Sequence, residues 1–213
     1  MNEVLKQLAG VMIERQKLQH EHRGEPDYAL VLSPAFDQQQ TFLLQQARYL
    51  TDQIPDLVVS VEYTAMGYFY WLAGDLPAAE ANYKKAVDRA PDTTYRLSAI
   101  TAYSWFLFTQ RRFEEAREQY RKGITERIQT DHFARYQKGR TYMFWGLNER
   151  NLAQASSLAE QAFESAAAEF RGIDLEALRE NALKELNAIK SGQAAIPPMH
   201  SESTQAVPPI ANT

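Results

Sequence analysis

The sequence predicts an all-α fold in which helices pack as antiparallel pairs. Three observations lead there. Glycine and proline are sparse, 9 of each in 213 residues, and several prolines fall in the last stretch, so the body is rich in helix formers. Apolar residues recur at helical spacing along most of that body. A small-and-aromatic pattern also repeats: Ala79, Tyr83 and Ala86 are followed 37 residues later by Ala116, Tyr120 and Gly123. The hydrophobic content of 45% is enough for one cooperative core.

About nine helices are expected. The first spans roughly Asn2–His22, with Val4, Leu8, Val11, Met12 and Leu18 forming its stripe. The polar run His20–Asp27, which contains Gly24 and Pro26, breaks it. Ser33-Pro34 starts the second, since Ser caps and Pro fits the first helical position; it stops before Pro55. Helices near Asp56–Ala73 and Pro77–Arg89 are joined by a Gly74-Asp75 turn. Asp92 caps a helix to about Thr109, and the one around Ala116 and Tyr120 follows. Asp131 caps another to about Leu147, and Asn151 one to about Phe170. Ala155, Ala159 and Ala162 fit the small positions 39 residues after Ala116, while Gly139 and Tyr142 suggest another register for the preceding helix. Asp174 caps the last, to about Lys190, whose Leu175, Leu178, Ala182, Leu186 and Ile189 make one stripe opposite a charged face.

The pattern is fullest over Ser60–Pro91. Tyr63, Met66-Gly67, Tyr70, Ala79, Tyr83, Ala86 and Pro91 occupy its successive positions. The small residues let two helices approach, and the aromatics fill the spaces between them. This stretch resembles one tetratricopeptide repeat. The resemblance implies a right-handed α-solenoid of antiparallel helix pairs closed by a C-terminal capping helix. Residues 1–54 then read as N-terminal helices forming a degenerate first repeat. Residues 55–190 read as the repeats and their cap, and residues 191–213 as a disordered, Pro-containing tail. In that tail Ala195-Ile196-Pro197-Pro198-Met199 recurs as Ala206-Val207-Pro208-Pro209-Ile210.

In this family the first helix of each repeat lines a concave surface. The register puts Val61, Thr64, Tyr68 and Trp71 inward, then Ser98, Thr101, Trp105 and Phe108 after 37 residues, then Gln137, Arg140, Phe144 and Leu147 after 39 more. Two largely aromatic columns emerge, Tyr68/Trp105/Phe144 and Trp71/Phe108/Leu147. Large aromatics of this kind anchor a peptide or the apolar face of a helix. The candidate partner-binding residues are therefore Tyr68, Trp71, Trp105, Phe108, Arg140 and Phe144. The same stripes read equally as core covered by a neighbouring helix. The Lys, Asn and Arg clamp that some relatives use on chaperone tails is not matched: Thr64, Tyr68, Thr101 and Trp105 stand there, with Arg140 the one cation.

Catalytic chemistry is not evident. There is no cysteine, so disulfides, thiolate zinc sites and cysteine nucleophiles are excluded. His20, Glu21, His22, Glu25 and Asp27 have metal-ligand types, but two-residue His spacing does not share a helical face, and a solvated loop is expected. No phosphate-binding or nucleophile-elbow motif occurs. The basic residues Arg111-Arg112, Arg117 and Arg121-Lys122 alternate with Glu114, Glu115 and Glu118, as on a solvated helix face. Net charge is −4, which disfavours nucleic acid.

No cofactor, no metal and no catalytic residue is assigned. The expected role is a non-catalytic adaptor or assembly factor in the cytoplasm, with a protein or peptide partner, no membrane insertion and self-association allowed. The alternatives are a peptide-sensing regulator or secretion chaperone, a structural subunit of a larger complex, and a metal-dependent enzyme built on the His20–Asp27 cluster.

Overall fold

The computed structural model describes residues 60–72, 74–125 and 132–192, with scattered helical positions between 6 and 49. Most of the helices expected over residues 2–22 and 33–54, and all of the His20–Asp27 cluster and the tail repeats, lie outside the described residues. The chain divides into two compact units. Described residues 65–82 belong to one, and residues 60–64 and 83–192 to the other.

Seven α-helices and no strand occur among the described residues. The helix α1 (Ser60–Leu72) ends where Gly74 takes φ +80°, a left-handed position that suits glycine. There Gly74 N donates to Trp71 O and Asp75 N to Tyr70 O. Asp75 then accepts from Ala78 N at 3.1 Å and so opens α2 (Leu76–Asp88). Ala79, Tyr83 and Ala86 of α2 are buried, as the small-and-aromatic pattern requires. Ser60 Oγ donates to Ala86 O at 2.7 Å, and Lys85 lies over the Tyr63 ring.

Asp92 caps α3 (Thr93–Thr109) by accepting from Tyr95 N at 2.9 Å. The helix ends with Arg111 at φ 58°, where Arg112 N donates to Leu107 O. The α4 helix (Phe113–Thr125) runs back along α3. Phe108 meets Phe113 and Tyr120, while Gly123 lies on Leu97 and Ile100 at the far end, so the pair is antiparallel. A Cβ at Gly123 would come within 2.8 Å of Ile100 Cδ1.

The third pair is α5 (His132–Asn148) and α6 (Ser156–Arg171). Gly139 packs on Phe170 and Gly146 on Phe163, which again makes the helices antiparallel. Here the expected register fails. The buried positions Leu97, Ala99, Ser104, Phe106, Leu107 and Phe108 of α3 recur 42 residues later as Gly139, Thr141, Gly146, Asn148, Glu149 and Arg150. In the second helix of the pair the shift is 43, taking Ala116, Tyr120 and Gly123 to Ala159, Phe163 and Ala166. The left-handed residues obey the same rule: Gly74, Arg111 and Gln154 are 37 and then 43 apart. One residue is thus gained late in the first helix. It is absorbed by a π-helical turn over Glu149–Ala153.

Two expected helix caps fail, one at that turn and one further on. Asn151 caps no helix, because it sits inside the π turn, and α6 begins only after Gln154 has turned the chain in the left-handed region. Asp174 does not cap the last helix either; it too is left-handed, at φ 56°, and α7 (Glu176–Lys190) starts without a side-chain cap. The capping role of α7 stands. Its Ala182 and Leu186 are buried against Ala166, Phe170, Ala159 and Phe163, although Leu175 is exposed. In the second unit α3 also packs on α5. First helices of successive pairs therefore lie side by side, as a helical-repeat stack requires.

Candidate functional site

The contact between α3 and α5 leaves a cleft of about 430 Å³. One wall is α3, with Ser98, Thr101, Ala102 and Trp105. The other is α5, with Gln137, Arg140, Thr141, Phe144 and Leu147. The π turn closes one end with Asn151 and Leu152. Within the cleft Thr101 Oγ1 meets Thr141 Oγ1 at 3.2 Å, which joins the two walls. Trp105 and Leu147 are half-buried and Phe144 is 39% exposed, so large apolar surface lines an open space.

The candidate residues distribute as follows. Trp105, Arg140 and Phe144 line this one cleft together. Phe108 does not: it is 1% exposed and packed on Phe113 and Tyr120, so it is core between α3 and α4 and offers nothing to a partner. Tyr68 and Trp71 belong to the other unit, where they form a tilted aromatic pair with ring centres 5.8 Å apart, both half-buried. The regular columns dissolve with the register, since the position after Trp105 is Leu147 and the one after Phe108 is Arg150.

Behind the cleft lies a polar assembly that the sequence did not announce. Glu149 is 0% exposed, at the position where the preceding repeat has Leu107. Its carboxylate accepts from Arg117 Nε at 2.8 Å, Arg117 Nη2 at 2.7 Å and Trp145 Nε1 at 2.8 Å. Arg117 also reaches Glu114 on its solvent side. The hydrogen bonds it donates to Glu149 push the Arg117 pKa further above its already high value, against the lowering effect of burial. Trp145 is stacked on Tyr120, 5.3 Å between centres and 10° between planes, and Tyr142 stacks with it as well. Asn148 Nδ2 donates to Tyr120 Oη at 3.1 Å. Burial raises the Tyr120 pKa well above the usual tyrosine value, and the nearby Glu149 charge raises it too, while the Asn148 bond opposes them. Arg117 therefore departs from the solvated face expected for it. It pins α4 to the start of the π turn, and so fixes the wall that carries Asn151.

A second depression, along the outer side of α7, is lined by Glu180, Leu183, Lys184 and Asn187. It has one helix for a wall and no aromatic residue, so it offers little to grip. Among the described residues no group of three or more metal-ligand side chains occurs, and no helix is long and apolar enough to cross a membrane.

The sequence matches no curated protein. Among solved structures it is similar to the crystal structure of BtubC (BKLC) from P. vanneervenii, at 11% identity over 100% of each chain and a TM-score of 0.37, a likeness too loose to define a shared fold. Residues 63–93 match the tetratricopeptide repeat family. With Tyr63, Ala79, Tyr83 and Ala86 buried in the places the repeat demands, this stretch of the chain is a tetratricopeptide repeat.

Proposed function

We propose that the protein is a non-catalytic adaptor or assembly factor that holds a segment of a partner protein in the cleft between α3 and α5. One observation carries the reading: Trp105, Phe144 and Leu147 converge on the same open cleft. A tetratricopeptide repeat in the same chain points to protein partners in general. Trp105 supplies the anchor, because a large rigid side chain gives contact area at low entropic cost. Tyr68 and Trp71 are a second, separate candidate contact in the other unit. The absence of cysteine fits a reducing compartment, and the cytoplasm is the proposed location.

The test is a pair of measurements on Trp105→Ala. Partners enriched from the native host on the wild-type protein are mapped to binding segments, and affinity and denaturant midpoint are measured on both proteins. A groove residue loses about 2 kcal/mol or more of binding at a stability cost well under the roughly 3–5 kcal/mol of an emptied core site. A folded mutant that binds at wild-type affinity removes the cleft from the account.

A further inference from the structure

The cleft changes character along its length. One end is polar and exposed: Ser98 of α3 and Arg140 of α5 hold equivalent positions there, 42 residues apart. The other end is largely apolar and half-buried: Trp105 and Leu147, again 42 apart, lie there with Leu152 of the π turn. Arg112, Arg117, Arg135 and Arg150 each meet a carboxylate, whereas Arg140 makes no ion pair among the described residues. Its guanidinium lies instead over the rings of Tyr136, at 5.6 Å, and Phe144, at 5.9 Å. The rings hold the cation at the polar end without neutralising it. No other charged side chain lines the cleft. Its volume of about 430 Å³ falls within the ~300–1,000 Å³ of small-molecule sites.

We propose that the cleft binds a small amphiphile, a singly charged carboxylate on an unbranched apolar chain. The carboxylate pairs with Arg140, and the chain runs past Phe144 to Trp105, Leu147 and Leu152. Charge selects the head. A single guanidinium matches one negative charge, and a phosphate dianion would bring a second that no neighbouring side chain of the cleft neutralises. The lining selects the chain, because methylene groups against Trp105, Leu147 and Leu152 leave water without leaving any polar group unpaired. Length follows from the helix. Leu147 lies seven positions beyond Arg140, roughly 10 Å at ~1.5 Å per residue. At roughly 1.3 Å per carbon, the projection of a ~1.5 Å C–C bond, that is about eight carbons. Such a ligand uses the anchors proposed for a partner segment, so the two exclude each other. Its own binding does not depend on there being such a segment.

The experiment titrates the full chain with hexanoate, octanoate and decanoate by calorimetry, below their micelle concentrations, with 1-octanol as the uncharged control. One saturable site is expected, with Kd falling about fourfold for each added methylene. Bound decanoate moves the Trp105 indole N–H signal, and 1-octanol binds more weakly than octanoate. Arg140→Glu weakens octanoate about tenfold or more, the scale of a lost charge-assisted contact. Arg140 is exposed, so the variant keeps the fold, and tighter binding of octylammonium to it than to the wild type reports this directly. Three results overturn the proposal: no saturable binding of octanoate or decanoate, an affinity indifferent to chain length, or an affinity indifferent to Arg140→Glu. A partner peptide that loses affinity with Trp105→Ala in any of these cases leaves the adaptor reading standing.

Discussion

Removing the Glu149 carboxylate is the sharpest perturbation of the wall that shapes the cleft. In Glu149→Ala three donors lose their acceptor: Arg117 Nε, Arg117 Nη2 and Trp145 Nε1. Breaking a buried pair by removing one partner costs roughly 3–5 kcal/mol. The low end applies, about 3 kcal/mol, because Arg117 keeps Glu114 and its side chain retains 12% exposure, so the guanidinium is not stranded in a dry interior. Against a domain stability of roughly 5–15 kcal/mol this is a large fraction. Urea unfolding monitored by helical circular dichroism reads it as a lower midpoint at unchanged slope. Glu114→Ala is the control: that carboxylate is 77% exposed, and its loss costs well under about 1 kcal/mol. The double variant Arg117→Met with Glu149→Leu recovers most of the loss, since Leu107 holds the equivalent position in the preceding repeat. A Glu149→Ala protein destabilised by less than about 1 kcal/mol would refute the buried-pair argument.

Three further outcomes are expected. Gly146→Ala places a Cβ 2.7 Å from the buried Phe163 ring, so denaturant unfolding gives a loss on the order of 1–3 kcal/mol from overpacking. Arg111→Gly relieves a left-handed residue and raises the unfolding free energy by about 0.5–1 kcal/mol, whereas an unchanged or lower value counts against strain at that turn. Tyr120 has its pKa raised on folding above the ordinary value of 10.0, so its contribution is fully present below that pH and is lost as pH rises through the folded value. Unfolding free energy measured from pH 8 to 12 should therefore decline above about 10, with a shallower decline in Tyr120→Phe.

The first two described helix pairs were legible because their small residues sit at fixed offsets and close contacts demand them there. Ala79, Ala116 and Gly123 are buried as their spacing required. The third pair was not legible. Its close contacts use Gly139 and Gly146, and one extra residue in the π turn changes the shift from 42 to 43 partway through the pair. Local propensity is blind to such a turn, since each residue in it remains nearly helical. Asn151 and Asp174 misled for a related reason: Asn and Asp favour helix caps but also turns and left-handed positions. The cleft survived the wrong register. A shift of 39 in place of 42 moves a position by three residues, less than one helical turn, so Arg140, Phe144 and Leu147 stayed on the inward face. Phe108 did not, because it lies at the end of α3 where α4 folds back over it. Glu149 and Arg117 were invisible as a pair, being 32 residues apart, with Arg117 on a helix face that read as charged and solvated.

The central claim is that a partner segment occupies the cleft between α3 and α5. The chain has three tryptophans, and their indole N–H signals are separately observable in 15N-labelled protein. Trp105 lies in the cleft, whereas the Trp145 N–H is bound to Glu149 behind it and serves as the internal reference. Titration with a bound partner peptide is predicted to move the Trp105 indole signal and the backbone signals of Thr101, Arg140 and Phe144, with Trp145 nearly unchanged. Saturable binding that leaves Trp105 in place and moves signals only on α6 or α7 would contradict the account.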